Sequence, residues 1–334
     1  MKKIKIKSLL ILCSIFLLSC GSSDDDAATV TPPTGGSGSE IPNTPITDTN
    51  LLIATTNLGE VFQIGNNTGD ITNIGQITRE NNASILTMQS FVATDDKIYA
   101  IEYLYNPSPT NNLLIYDRQT NTTQIQPLTL PATIMGDERG FISLVLDGTS
   151  LIGILAENVL VTGQPKHIVR IDLQDYSITE LGITFTEDAI SDMEKIDSKL
   201  YVSTWGSGFL EIDLNTNTVT NNTTINGSRL ARVSDTELAI MEVFPNSING
   251  ARPGIINLTN QTLTPNAEND TFGLVFVFGS TLYANQTYLN LVVTNDIYFG
   301  ILKTNFDTGE NTLVEVNSTD VDRNMIIVDV VPTN

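Results

Sequence analysis

Two glutamates, Glu102 and Glu242, stand at the same place in two repeats of one strand pattern, KIYAIEY (97–103) and ELAIMEV (237–243). Carboxylates that recur in this way can flank a glycosidic bond as acid and base, or join Asp192 and backbone carbonyls as oxygen ligands for calcium. Aligning the other strands of the pattern adds Thr55, Leu155, Thr204 and Gln286. Aromatic residues lie beside this set: Tyr103, Tyr105, Trp205, Phe244 and Tyr288. The strands that precede contribute Gln89, Arg139, Asp192, Arg229 and Arg323. A ring of acids, guanidinium groups and aromatic faces suits a polar organic ligand such as a glycan, a peptide or a small cofactor. The same residues also suit ion pairs between packed sheets, which occupy charged groups just as a binding site does.

Motifs for nucleophilic catalysis are missing. His167 is the one histidine, and the sequence places it on a loop as a solvated side chain. There is no Gly-x-Ser-x-Gly elbow, and no second His to pair with a serine. The turn Asn305-Phe306-Asp307-Thr308-Gly309-Glu310 is dense in oxygen, but five sister turns fill the same slot, so it reads as a tight hairpin. No spacing of residues compels a metal. A non-enzymatic binding protein is the leading expectation. The alternative is a hydrolase or lactonase with an acidic, calcium-dependent site at a central channel.

The elements that would position these residues announce themselves by repetition. One phrase occurs six times: IGNNTGD (64–70), YDRQTNT (116–122), IDLQDYS (171–177), IDLNTNT (212–218), INLTNQT (256–262) and TNFDTGE (304–310). Each is the end of a strand, an Asx-rich turn and the start of another strand. The starts lie 52, 55, 41, 44 and 48 residues apart. A period in that range in an all-β chain predicts a radial repeat with one four-stranded antiparallel sheet per unit. The expectation is a six-bladed β-propeller over 51–334. Its first unit lacks an inner strand, and its last segment, MIIVDVV (325–331), lacks a unit. The C-terminal strand should therefore pair beside LLIAT (51–55) and complete the first blade, removing two exposed edges.

Loop lengths then divide the two faces. Connections such as DGT (147–149) and GS (279–280) are short. EYLYNPSPTNN (102–112), AENVLVTGQPKH (156–167), EVFPNSINGARPG (242–254) and NQTYLNLVVTND (285–296) are long and share the other face. Long loops on a rigid scaffold are where recognition concentrates. The repeat pattern resembles the broad group of propellers with quinoprotein-like and YVTN-type repeats. The resemblance covers 51–334 and lies in the repeats alone, so the quinoprotein cofactor chemistry does not carry over. Those enzymes dock their blades with many tryptophans, and this chain has only Trp205.

The first fifty residues read as an address and a tether. Lysines in MKKIKIK precede a short apolar run, and residues 1–19 fit a cleaved signal rather than a membrane span. Leu17-Leu18-Ser19-Cys20 resembles the lipobox of bacterial lipoproteins, which implies lipid on Cys20. The acidic cluster Asp24-Asp25-Asp26 resembles the surface-export signal of Bacteroidetes lipoproteins. Residues 20–50, rich in Gly, Ser, Thr, Pro and Asp, form a flexible tether. These resemblances imply an outer-membrane lipoprotein facing the exterior, with an outer-membrane uptake receptor as a natural partner. The formal net charge of the whole chain is −21. That excludes nucleic acid as the expected partner, since phosphate binding needs clustered cations. Cys13 leaves with the signal and Cys20 carries lipid, so no disulfide is expected.

Overall fold

The computed structural model describes residues 48, 50–56, 59–78, 91–104, 110–136, 138–159, 161–243, 251–266, 276–283, 287–293, 300–316 and 325–332. All regular elements among them are strands, arranged as six four-stranded antiparallel sheets. Blade one contains β1 (Asn50–Thr56), β2 (Glu60–Gly65) and β3 (Ile71–Gln76). Blade two is β4 (Val92–Ala93), β5 (Lys97–Leu104), β6 (Thr110–Asp117) and β7 (Thr122–Pro127). Blade three is β8 (Gly140–Asp147), β9 (Ser150–Ala156), β10 (Lys166–Asp172) and β11 (Ile178–Phe185). Blade four is β12 (Ile190–Ile196), β13 (Lys199–Thr204), β14 (Phe209–Asp213) and β15 (Thr218–Asn222). Blade five is β16 (Gly227–Ser234), β17 (Glu237–Val243), β18 (Ala251–Asn257) and β19 (Thr262–Pro265). Blade six is β20 (Phe276–Tyr283), β21 (Thr287–Val293), β22 (Gly300–Asn305) and β23 (Asn311–Glu315). The last strand, β24 (Met325–Pro332), returns to blade one and pairs with β1, from Asn50 opposite Pro332 to Thr56 opposite Met325. The fold is the expected six-bladed β-propeller, closed by its C-terminal strand.

The repeated phrase works through one hydrogen-bond scheme. In blade four the Asp213 carboxylate accepts the amides of Asn215 (2.9 Å) and Thr216 (3.1 Å). Asp117, Asn257 and Asn305 repeat this for the second and third residues after each. Four residues after the turn-opening residue the backbone is left-handed in all six turns: Gly69, Asn121, Tyr176, Asn217, Gln261 and Gly309. Asn and Gly tolerate that conformation best, which is why the phrase is rich in them. Blade one has Gly65 where the others have Asp or Asn. There Asp48, from before β1, takes over and accepts the amides of Asn67 and Thr68. These donations hold the Asp117 and Asp213 carboxyls below the usual range.

Alternation along the strands sends apolar side chains to both faces of each blade, and six clusters fill the six seams. Ile53 and Val61 meet Ile98, Ala100 and Leu114 between blades one and two. Leu52 and Ala54, on the opposite side of β1, meet Leu289 and Ile301 of blade six. β24 serves both seams, with Ile327 in one and Val328 packed on the other. The inner strands neighbour one another around the axis in the order β24, β4, β8, β12, β16, β20. Five of them carry a register shift against their second strand. Such bulges re-aim side chains and add twist.

Blade six corrects the sequence reading. The sequence reading puts a short connection at 279–280 and Gln286 on the strand that follows it. Instead Gly279 and Ser280 lie inside β20, and Tyr283 pairs with Thr287. The segment expected to be a long loop, 285–296, contains β21. A glycine beside a bulge looks like a turn in sequence but is tolerated within the strand.

Candidate functional site

The strand-end ring can now be placed by register. Lys97, Ser150, Lys199 and Glu237 each pair with the last residue of the following strand. Counting from Leu51 and Thr287, which occupy that position in their blades, gives Thr56 and Val292. The ring is therefore Thr56, Glu102, Leu155, Thr204, Glu242 and Val292, with Thr56 replacing Thr55 and Val292 replacing Gln286. Leu155 is core. The Thr56 hydroxyl accepts the Glu60 amide, and the Thr204 hydroxyl accepts the Ser207 amide and donates to the Gly208 carbonyl. Both threonines fasten the turns that follow them. Glu102 accepts from the Asn112 amide at 3.0 Å, and Glu242 from Arg252 Nε at 2.6 Å. Blades two and five stand on opposite sides of a six-membered ring, so Glu102 and Glu242 do not form the close carboxylate pair that glycoside hydrolysis needs.

The structure does bring Asp192 and Arg229 together. Asp192 lies on β12 and Arg229 at the bulge of the adjacent β16, with a left-handed backbone (φ 54°). Asp192 Oδ2 accepts the Leu230 amide at 2.9 Å, and Oδ1 accepts the Met193 amide at 2.9 Å. Arg229 Nη1 reaches the Ser191 carbonyl at 3.5 Å. Both side chains are partly buried. Burial pushes the Asp192 carboxyl up and the Arg229 guanidinium down, and each opposes the other's shift. Glu194 follows two residues after Asp192. Burial, and then the Asp192 charge, push its carboxyl up to about 7. Sequence reading passed over Glu194, though its strand parity with Asp192 was there to be used.

Arg139 is occupied locally, its Nη1 donating to the carbonyls of Ile134 (2.8 Å) and Pro131 (3.2 Å). Tyr103 pairs with Asn111 through its backbone. Tyr105, Gln286 and Arg323 lie outside the described residues, as do Gln89 and Phe244. Tyr288 is not at a loop: it is fully buried, stacks on Phe306 and donates its hydroxyl to the Arg229 carbonyl at 2.9 Å. His167 is also corrected. It lies on β10, is buried, and sits between Glu180 (3.0 Å to Nδ1) and Glu157 (3.1 Å to Nε2). The Thr133 hydroxyl, with His167 second, holds the Glu180 carboxyl below its usual range. Next to it Lys166, buried, pairs with Asp188 at 2.8 Å.

Trp205 is the predicted residue that stands free. It is 48 % exposed, and the other large exposed apolar residues among those described are Met135 and Val161. Met135 precedes β8, Val161 separates β9 from β10, and Trp205 follows β13. All three therefore lie on the long-loop face. The Trp205 turn is pinned from both sides. Its amide donates to the Ala189 carbonyl at 2.9 Å, and Asn221 Nδ2 donates to the Ser207 carbonyl at 3.0 Å. Gly206 and Gly208 take left-handed φ values of 87° and 110° that other residues resist. Among the described residues the opposite face has no counterpart. Its turns close on themselves, and Asp147 there is ion-paired to Arg170 and Lys195.

No protein-family model matches the chain, and no curated protein does. Solved structures do match over the propeller. A puromycin hydrolase S511A mutant complexed with PGG superposes with a TM-score of 0.52 at 11% identity, over 80% of this chain and 43% of that one. A second puromycin hydrolase structure gives 0.51 at 13% identity, over 80% and 43%. The GH74 enzyme of Niastella koreensis gives 0.50 at 12% identity, over 79% and 43%. The chain thus spans less than half the length of these hydrolases. At such identities the likeness is one of fold.

Proposed function

We propose that this protein is a binding module, anchored by lipid on Cys20 to a bacterial outer membrane and presenting its long-loop face outward. The observation that carries the reading is Trp205, an exposed indole on a turn fixed by hydrogen bonds from two neighbouring segments. A rigid, exposed tryptophan loses little entropy when a ligand stacks on it, and tryptophan is the residue most enriched where binding energy concentrates. A sugar ring or an aromatic side chain fits that platform, with the polar groups of the neighbouring loops left to orient it. An outer-membrane uptake receptor would supply or receive such a ligand.

Trp205 is the sole tryptophan, so its emission reports the site directly. Titration with soluble oligosaccharides and with aromatic peptides should quench or shift that emission for one class. Trp205→Ala should weaken binding about 10- to 100-fold, the scale of a hot-spot truncation, with little change in melting temperature. A ligand captured equally well by Trp205→Ala would remove the site from this face. For the anchor, Cys20→Ser should move the protein from the detergent phase to the aqueous phase in partition assays. Retention in the detergent phase would mean that something other than lipid holds it.

A second reading, hydrolysis at the channel, is favoured by Glu194. A carboxyl that ionises at about 7 beside a second carboxyl is suited to general acid work. Glu194→Gln should then abolish turnover of a cleavable substrate, whereas Trp205→Ala should only raise its KM.

A further inference from the structure

We propose that the seam between blades one and two holds one monovalent cation at its long-loop end, bound by Glu102 and Thr55. Glu102 is fully buried. It follows Ile98 and Ala100 on the side of β5 that packs against Ile53 and Val61, so it faces blade one. Thr55, also fully buried, follows Ile53 on β1 and faces blade two by the same alternation. Glu102 Oε2 accepts from Asn112 Nδ2, but among the described residues Oε1 has no partner, and neither has the Thr55 hydroxyl. Two buried oxygen-bearing groups thus enter one seam unsatisfied, a costly arrangement unless something positive joins them.

The repeat itself shows what is missing. Glu242 holds the same position in blade five, and the residue opposite it on the next strand is Arg252. That guanidinium neutralises Glu242 from within the blade, at 2.6 Å. In blade two the residue opposite Glu102 is Asn112, which supplies a hydrogen bond and no charge. The same backbone therefore places a carboxylate twice and, among the described residues, provides its counter-charge once. A hard cation matches carboxylate and hydroxyl oxygens. One carboxylate balances one positive charge. Divalent ions usually draw several carboxylates, and no cluster of three acidic, His or Cys ligands occurs among the described residues. The inference is independent of the Trp205 platform, which lies on blade four.

Thermal unfolding of the full chain in sodium, potassium, calcium and N-methylglucamine chlorides, at one pH and equal ionic strength, tests this. Sodium or potassium should raise the melting temperature over N-methylglucamine by a few degrees in a saturable manner. Glu102→Gln should erase the difference between salts. Thr55→Val, which keeps the side chain's shape, should move half-saturation to about tenfold higher salt, and it carries the test if Glu102→Gln fails to fold. Equal melting in all four salts would overturn the proposal, as would a salt response that survives Glu102→Gln. Stabilisation by calcium alone would overturn the assignment to a monovalent ion. A melting temperature that follows pH but not cation would place a proton there instead.

Discussion

Deleting residues 325–334 should leave a chain without a cooperative unfolding transition, prone to aggregate. β24 is the inner strand of blade one, and its loss uncovers the whole length of β1 as an edge. It also empties part of two seams at once, because Ile327 packs toward blade six and Val328 toward blade two. Fully burying a side chain such as Ile327 contributes about 1.5–3 kcal/mol, and the partly buried Val328 adds a smaller share. A domain's whole stability is about 5–15 kcal/mol, and the lost ladder hydrogen bonds come on top. Ile327→Ala should show a smaller version of the defect, about 2–5 kcal/mol, in a chain that still folds. Calorimetry on both variants checks this. A truncated chain that melts sharply at the wild-type temperature would mean that the ring does not depend on its last strand.

The second large effect is a pH dependence centred on Glu194. In the unfolded chain this carboxyl ionises near 4.5, and in the folded ring at about 7. The folded state therefore holds the proton more tightly, and stability falls as pH rises through that window. The loss is complete above 7, where the folded protein carries a poorly solvated carboxylate next to Asp192. Each unit of difference is worth about 1.4 kcal/mol, which gives a penalty of about 3 kcal/mol at pH 8. Glu194→Gln should remove it, raising the melting temperature at pH 8 by on the order of 5 °C while changing little at pH 4. Melting curves of both proteins across that range are the measurement. Parallel pH profiles would show that Glu194 is solvated as well in the ring as in the open chain.

The ring was legible because its turns carry their chemistry locally. An Asx side chain that accepts the next amides, and a left-handed residue four positions on, both lie inside one seven-residue phrase. Blade six escaped because Gly279-Ser280 has turn composition inside a strand. The closing strand was readable from the count of strands alone. Side-chain fate was much less legible. Tyr288 and Trp205 look alike in sequence, yet one is sealed in a seam and the other stands in solvent. The partners of Asp192 lie on β16, across a seam and remote in sequence, so no local spacing could reveal them. Glu102 and Glu242 illustrate the limit best. Their strands match closely, and only the residue on the following strand, Asn112 or Arg252, separates a carboxylate held by a neutral amide from one paired with a guanidinium.

The pairing of β1 with β24 also sets the order in which this protein can be built. The two strands that must lie side by side are the first and the last of the domain to leave the ribosome. Blade one stays a strand short, and the circle stays open, until β24 has been made. An early, irreversible collapse of the nascent chain into its final form is thereby denied. A ring held open until its last strand arrives closes in one late step rather than blade by blade.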